Sequence, residues 1–323
     1  MKIPLSRVIF TSIFAILFFI GPFMPRYILF LINEILLWSI FAMAYDLSFG
    51  YAGMLSFGHG IFFGLGNYGA AILVKDLRMN LFIAILFGVI LATIAGFSIG
   101  YIIRARGTRG PQFAILTFII TVTAYLVSLT LSWITGGIDG ISFATPTVHL
   151  GMWELSLSSW LVRYYFSLVA FIASFLILYR VKNSPFGIVL LAIRENEERA
   201  RFAGYNTTKY AILAFAISAL FAGFAGAIYG LEYGYANPIF FQVNISLNAI
   251  LWSYFGGSGT LFGPIVGTVI LLPIVDYISK HWAYYWIAVG ALLIIVVIKF
   301  PSGIMGHLQE LVHPSGEGRK EIA

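Results

Sequence analysis

Ten runs of mostly apolar residues follow one another along the chain, at positions 8–23, 28–48, 59–74, 81–103, 111–133, 164–181, 210–230, 240–255, 261–279 and 282–300. A helix needs roughly 17–25 such residues to cross the hydrocarbon layer of a bilayer, and most of these runs reach that length. The third and eighth are short, and glycine interrupts the third. Composition agrees with the pattern: 60% of the 323 residues are apolar and 10% are charged. A soluble domain carries about 25% charge, because its surface must face water. The expected fold class is all-α, a polytopic transmembrane helical bundle with about ten spans, some of them short or broken by glycine. Disordered, collagen-like and disulfide-scaffold classes are excluded, the last because the chain has no cysteine.

The N-terminal segment resembles a signal peptide, with Lys2 and Arg7 ahead of the apolar run 8–23. It has no small-x-small cleavage site, however, and Pro22, Pro25 and Arg26 close it, so it is expected to stay as the first span. With ten spans both termini share one side. Cytoplasmic loops collect Lys and Arg. With the termini inside, only Arg26, Lys75, Arg78, Arg163 and Lys280 of the 19 Lys and Arg face outward. The expected topology is therefore N-in and C-in. The net charge of +6 is then a topological signal, and no nucleic-acid partner is expected. Residues 1–305 form the transmembrane domain in this reading and 306–323 a cytoplasmic tail.

One loop stands apart. Between 184 and 209, 7 of 26 residues are charged, against 25 of the other 297. Ser184 followed by Pro185 is a helix start, and Gly204 supplies a stop. Between them Phe186, Val189, Leu190, Ile193, Ala200 and Ala203 recur at helical spacing, and Glu195 with Arg199 and Glu197 with Arg201 sit at i, i+4. A cytoplasmic amphipathic helix of about 18 residues follows. It either lies on the membrane surface or docks on a soluble partner; its mixed charge favours the partner. The polar outer loop 135–160 is open between facing a partner and closing the outer surface.

Thirty-three glycines lie mostly in or beside the spans. Gly60/Gly64, Gly96/Gly100, Gly226/Gly230, Gly230/Gly234, Gly259/Gly263 and Gly263/Gly267 have the spacing that lets helix backbones approach in lipid. Gly64-Leu-Gly66-Asn-Tyr-Gly69 matches a dinucleotide fingerprint in letters but has no strand before it, and no P-loop sequence occurs. Two stretches echo each other, Phe49-Gly-Tyr-Ala-Gly-Met-Leu-Ser-Phe-Gly58 and Phe255-Gly-Gly-Ser-Gly-Thr-Leu-Phe-Gly263. Such backbone at membrane depth is tolerated only where protein or water covers it. Paired breaks of this kind point to a transport pathway; two ordinary turns are the alternative. The pathway candidates are Gly50, Gly53, Ser56, His59, Asn67, Thr117, Asn248, Gly256, Gly257 and Gly259. Of these, His59 reads more readily as a hydrogen-bonding residue at a helix end than as a ligand. Glu34 and Asp46 lie near the span ends, where snorkelling, protonation and substrate contact are all open. No metal cluster, nucleophile–base pair or catalytic carboxylate pair can be assembled, which argues against an enzyme.

These motifs resemble those of branched-chain amino-acid ABC transporter permeases of the LivM type. The similarity lies in Gly50-Tyr-Ala-Gly-Met-Leu-Ser-Phe-Gly-His59, Gly110-Pro-Gln-Phe-Ala-Ile-Leu-Thr117, Thr135-Gly-Gly-Ile-Asp-Gly-Ile141 and Gly256-Gly-Ser-Gly-Thr-Leu-Phe-Gly-Pro264. It is most specific in Ser184-Pro-Phe-Gly187 followed by Arg194-Glu-Asn-Glu197, Arg199-Ala200 and Gly204. The resemblance covers roughly residues 28–304. It departs at Met54, where the family has a polar Gln, and at Gln112, where it has an aromatic residue; related permeases carry urea or short amides. It implies an importer of this permease, a second similar permease, two cytoplasmic ATPases and a substrate-binding protein outside. ATP and Mg would act on those partners, with no cofactor in this chain, in a bacterial or archaeal inner membrane. The segment holding Ser184, Pro185, Gly187, Arg194, Glu195, Asn196, Glu197, Arg199, Ala200 and Gly204 would engage the ATPase. A stand-alone carrier or channel is the competing class, and would transport without any ATPase.

Overall fold

A computed structural model describes residues 17–108, 110–150, 153–282, 284, 287–291, 294–295 and 303–306. Eight expected spans coincide with helices: α1 (Arg26–Asp46), α2 (His59–Lys75), α3 (Leu81–Arg104), α4 (Pro111–Thr130), α5 (Trp160–Lys182), α8 (Thr207–Tyr233), α9 (Val243–Gly256) and α10 (Phe262–His281). Six of them are long and apolar enough to cross a membrane, α1 with its π-helical extension Leu47–Tyr51. The two short ones are α2 and α9, and glycine runs through α2. The expected first span and tenth span fall largely outside the described residues, as does the tail.

Between α5 and α8 lie two short helices, α6 (Pro185–Glu195) and α7 (Glu197–Phe202). This corrects the single helix expected there. Asn196 leaves the helical conformation, and its side chain accepts the Arg199 amide at 2.9 Å, starting a new helix with Glu197 and Glu198 in its first turn. An asparagine cap followed by acidic residues satisfies orphan amides and suits the helix dipole, so two capped helices replace one. The break also takes Glu195 and Arg199 off a common helix.

The bundle is organised around α8, which packs along α3, α2 and α1, while α1 also meets α5 and α10. Small residues set the spacing. A side chain at Gly66 would strike the Gly223 carbonyl, one at Gly96 the Ala219 methyl, and one at Gly226 the Phe63 carbonyl. Here α2, α3 and α8 touch backbone to backbone, the use the small-residue spacing pointed to. Opposite the charged pair α6–α7, at the far end of α8 some 40 Å away, the chain carries short strands that the all-helical expectation lacked. Strand β1 (Ile141–Ser142) pairs with β4 (Tyr235–Ala236), and β2 (Thr147–Leu150) with β3 (Trp153–Ser156), both antiparallel. Tyr68 Oη donates to the Thr135 carbonyl at 3.0 Å and Asn237 Nδ2 to that of Ile138 at 3.1 Å. This part of the 135–160 loop thus closes over the bundle end.

One polar knot lies inside that half. The buried Glu232 carboxylate on α8 accepts from Asn33 Nδ2 of α1 at 2.7 Å and from Ser167 Oγ of α5 at 2.6 Å. Both its oxygens are engaged, so three helices are tied where lipid offers no partner.

Candidate functional site

At the charged end, α6 and α7 are fastened to the bundle on one face. Ser184 Oγ caps α6 by accepting the Gly187 amide, and a side chain at Gly187 would strike the Lys182 carbonyl, so the corner from α5 into α6 is tight. Val189, Ile193 and Ala200 form a small apolar cluster against Tyr210 of α8. Arg104, at the end of α3 and 5% exposed, donates to Glu197 Oε1 at 2.6 Å and to the Thr108 carbonyl at 3.1 Å. Removing the acid would leave a buried guanidinium uncompensated, a loss of about 3 kcal/mol. Gly204, at φ +91°, closes the segment. The opposite face is open: Glu195, Asn196, Glu198 and Arg199 are exposed, and Phe202 is 90% exposed.

The two echoing glycine stretches meet beneath this pair. Asp46, fully buried at the end of α1, accepts from Ser253 Oγ at 2.9 Å and the Gly259 amide at 2.8 Å through Oδ1, and from the Leu261 amide at 3.3 Å through Oδ2. Its carboxylate thereby pins the second turn onto the first. A side chain at Gly50 would strike both Asp46 and the Gly259 nitrogen, so only glycine allows the approach. Arg194, from α6, donates from Nη1 to the Gly50 carbonyl. Its stem runs along Gly53, and its guanidinium lies against Gly259. Gly256 holds the end of α9 against Gly263, and Gly257 turns the chain at φ +112°. Leu261 holds φ +66°, which costs a non-glycine residue about 1–3 kcal/mol and persists only where neighbours enforce it. The Asp46 bond supplies that enforcement.

Between the first turn and α2, residues 53–58 belong to no helix or strand. The threonines of α4 satisfy backbone there: Thr117 Oγ1 accepts the Phe57 amide at 3.1 Å, and Thr121 Oγ1 donates to the Phe57 carbonyl at 2.9 Å. Ser56 Oγ accepts the Gly58 amide at 3.0 Å. His59 Nε2 lies 2.7 Å from Ser218 Oγ and 3.2 Å from Ser48 Oγ. Both hydroxyls donate to carbonyls, of Ala44 and Tyr45, so Nε2 carries the proton and donates. The Gly60 amide donates to Ser246 Oγ of α9 at 2.8 Å. The short helices α2 and α9 therefore begin side by side, with their positive dipole ends together. Asn67 Nδ2 bonds the Gly226 and Tyr235 carbonyls. Asn248 lies on a cavity of about 270 Å³ that Glu34, Trp38, Trp252 and Asp276 also line.

The pathway candidates thus fall into three groups. Gly50, Gly53, Gly256, Gly257 and Gly259 gather at the turns; Ser56, His59, Asn67 and Thr117 bond within the protein; Asn248 reaches a cavity. The residues that assemble this region include several the sequence did not single out, among them Arg104, Lys182, Ser218, Ser253 and Leu261. Among the described residues no group of His, Asp and Glu could hold a metal ion.

Six helices long and apolar enough to cross a membrane, among the described residues, define a multi-pass helical membrane protein. The match to the family model described as branched-chain amino acid transport system / permease component runs over residues 27–298, and the chain belongs to that family. Its relatives include the high-affinity branched-chain amino acid transport system permease protein LivM of Salmonella typhimurium, 26% identical over 310 residues, covering 89% of this chain and 72% of the relative. A probable LivM of Methanocaldococcus jannaschii is 26% identical, with coverage of 91% and 98%. The LivH permease of Salmonella typhimurium is 25% identical, with coverage of 83% and 91%. No solved structure matches.

Proposed function

We propose that the chain is a permease subunit of an ABC importer and forms part of the translocation pathway for branched-chain, hydrophobic amino acids. It spans the inner membrane of a bacterium or archaeon ten times with both termini in the cytoplasm. It works with a second homologous permease, two cytoplasmic ATPases that bind the ATP and Mg, and an extracytoplasmic substrate-binding protein. It has no catalytic role of its own.

The observation that carries this reading is the two-faced pair α6–α7. One face is bolted to the bundle through Arg104 and Glu197, and the other presents Glu195, Glu198, Arg199 and Phe202. A helix that only rests on an anionic membrane is basic on its polar face; this one carries both signs, which suits a protein groove. The family membership supports the permease role, and the likeness to both LivM and LivH relatives supports a homologous partner. ATP-driven closure of the ATPases would displace α6–α7 and bias the bundle between inward-open and outward-open states, each stabilised by its own contacts. Pathway walls of glycine backbone and apolar side chains suit a zwitterion with an apolar side chain delivered by another protein.

The test is co-purification with candidate ATPases and the second permease, then ATP hydrolysis and uptake in vesicles with leucine or urea as substrate. Stable assembly and leucine-dependent hydrolysis are expected. Uptake by the chain without any ATPase would replace the importer reading with a stand-alone carrier.

A further inference from the structure

Asp46 and Arg194 come from different helices, yet both end on the same pair of turns. Asp46 binds Ser253, Gly259 and Leu261, which lie 207–215 positions away along the chain. Arg194 reaches down from α6 to the Gly50 carbonyl and covers Gly53 and Gly259. A third link joins the same place: Lys182 Nζ, at the root of α6, donates to the Thr260 carbonyl at 3.3 Å. The helical pair therefore grips the first turn through Arg194 and the second through Lys182, and Asp46 locks the two turns together.

We infer that Asp46 and Arg194 are the transmission joint of the permease: positioning residues that make α6–α7 and both glycine-rich turns move as one body. This rests on the importer reading above, in which α6–α7 is displaced by ATPase subunits. The physical reason lies in the turns themselves. Their glycines stand at positive φ or in backbone contact, Gly53 at +69°, Gly257 at +112° and Gly259 at +79°. At the glycines themselves there is no side chain through which a push could be passed, and a displaced helix would bend the chain there. Hydrogen bonds to the backbone are the handle at those positions. Asp46 supplies acceptors to the second turn and Arg194 a donor to the first. The two turns also flank the starts of the segments that lead to α2 and α10, so a shared displacement moves the half-helix region and the α9–α10 corner together.

The native chain has no cysteine, which makes spin labelling clean. Labels at Glu198→Cys on α7 and Ser258→Cys on the second turn report the joint by pulsed electron resonance. A second pair, Glu198→Cys with Met79→Cys, reports movement against the far end of the bundle. In the assembled complex, ATP is expected to change the Glu198–Met79 distance and leave the Glu198–Ser258 distance single and unchanged. With Asp46→Asn, the Glu198–Ser258 distribution should broaden even in the isolated permease. In the complex, this variant and Arg194→Ala should retain the ATPase and hydrolyse ATP while uptake per ATP falls about tenfold, within the usual range of coupling between sites. A merely structural role would lower yield and leave that ratio alone. The joint is overturned if the Glu198–Ser258 distance changes with ATP as much as the Glu198–Met79 distance does. A distribution in Asp46→Asn as narrow as in the native chain overturns it too. Because the broadening is read without ATPase, failure of the complex to assemble refutes the importer reading separately.

Discussion

Glycine does opposite work in two parts of this bundle. Where α2, α3 and α8 cross, Gly66, Gly96, Gly223 and Gly226 are helical residues whose missing side chains let backbones touch. At the charged end, Gly53, Gly257 and Gly259 are turn residues with positive φ, and their value is conformation as much as space. The first group fixes a distance in a solvent that offers no hydrophobic drive between helices. The second permits a shape that side chains such as Asp46 and Arg194 then hold. A glycine in a sequence can therefore mark a seam between helices or a turn that other side chains hold, and φ tells them apart.

Substitution separates the two uses. At the seam the largest effect is expected. Gly66→Leu would drive a side chain into the Gly223 backbone, which has no side chain to move aside, at a cost of about 3 kcal/mol or more. The variant should fail to yield monodisperse protein on size-exclusion chromatography after solubilisation. A well-behaved, fully active Gly66→Leu would show that the seam is looser than drawn. At the turns the expected outcome is different in kind. Gly259→Leu should insert and purify normally, since the αL penalty is about 1–2 kcal/mol, yet lose transport as it displaces Gly50 and Arg194. Normal uptake in Gly259→Leu, Gly50→Leu, Gly53→Leu and Gly256→Leu alike would reduce these segments to ordinary turns. The smallest effect belongs to the open face. Arg201 is 53% exposed and 3.9 Å from Glu197; Arg201→Ala should shift stability by no more than about 0.5 kcal/mol, measured as an unchanged thermal midpoint and unchanged uptake.

The eight helices were legible because apolar runs of this length have one stable form in a bilayer. The shortness of α2 and α9 was legible too, from the shortness of the apolar runs that hold them. The break at Asn196 was not read, because the Glu and Arg spacing on either side fits one continuous helix. The signal was present in an asparagine followed by two glutamates, a capping pattern that competes with the i, i+4 pattern. Asp46 was visible as an acid near a span end, but its ligands are backbone amides more than 200 positions away, and no local pattern encodes them. Glu232 shows the same limit, since Asn33 and Ser167 reach it from two other helices. Arg194 reads from the sequence as a contact for a partner, and its bond to the Gly50 carbonyl, 144 positions away, has no local signal. Chemistry was readable residue by residue; the pairing of distant backbone with side chain was not.

In this mechanism α6–α7 passes force between an ATPase and the turns, and Ala200→Trp breaks that link where it begins. Ala200 is buried in the small cluster with Val189 and Ile193 that seats α7 on the bundle. A large side chain there should lift α7 from its seat while leaving the membrane helices untouched. The account predicts a variant that reaches the membrane in normal amount, loses the ATPase on purification and shows no ATP-driven uptake. Full ATPase retention together with native uptake in Ala200→Trp would contradict it, and would leave α6–α7 a feature of the membrane surface with no part in coupling.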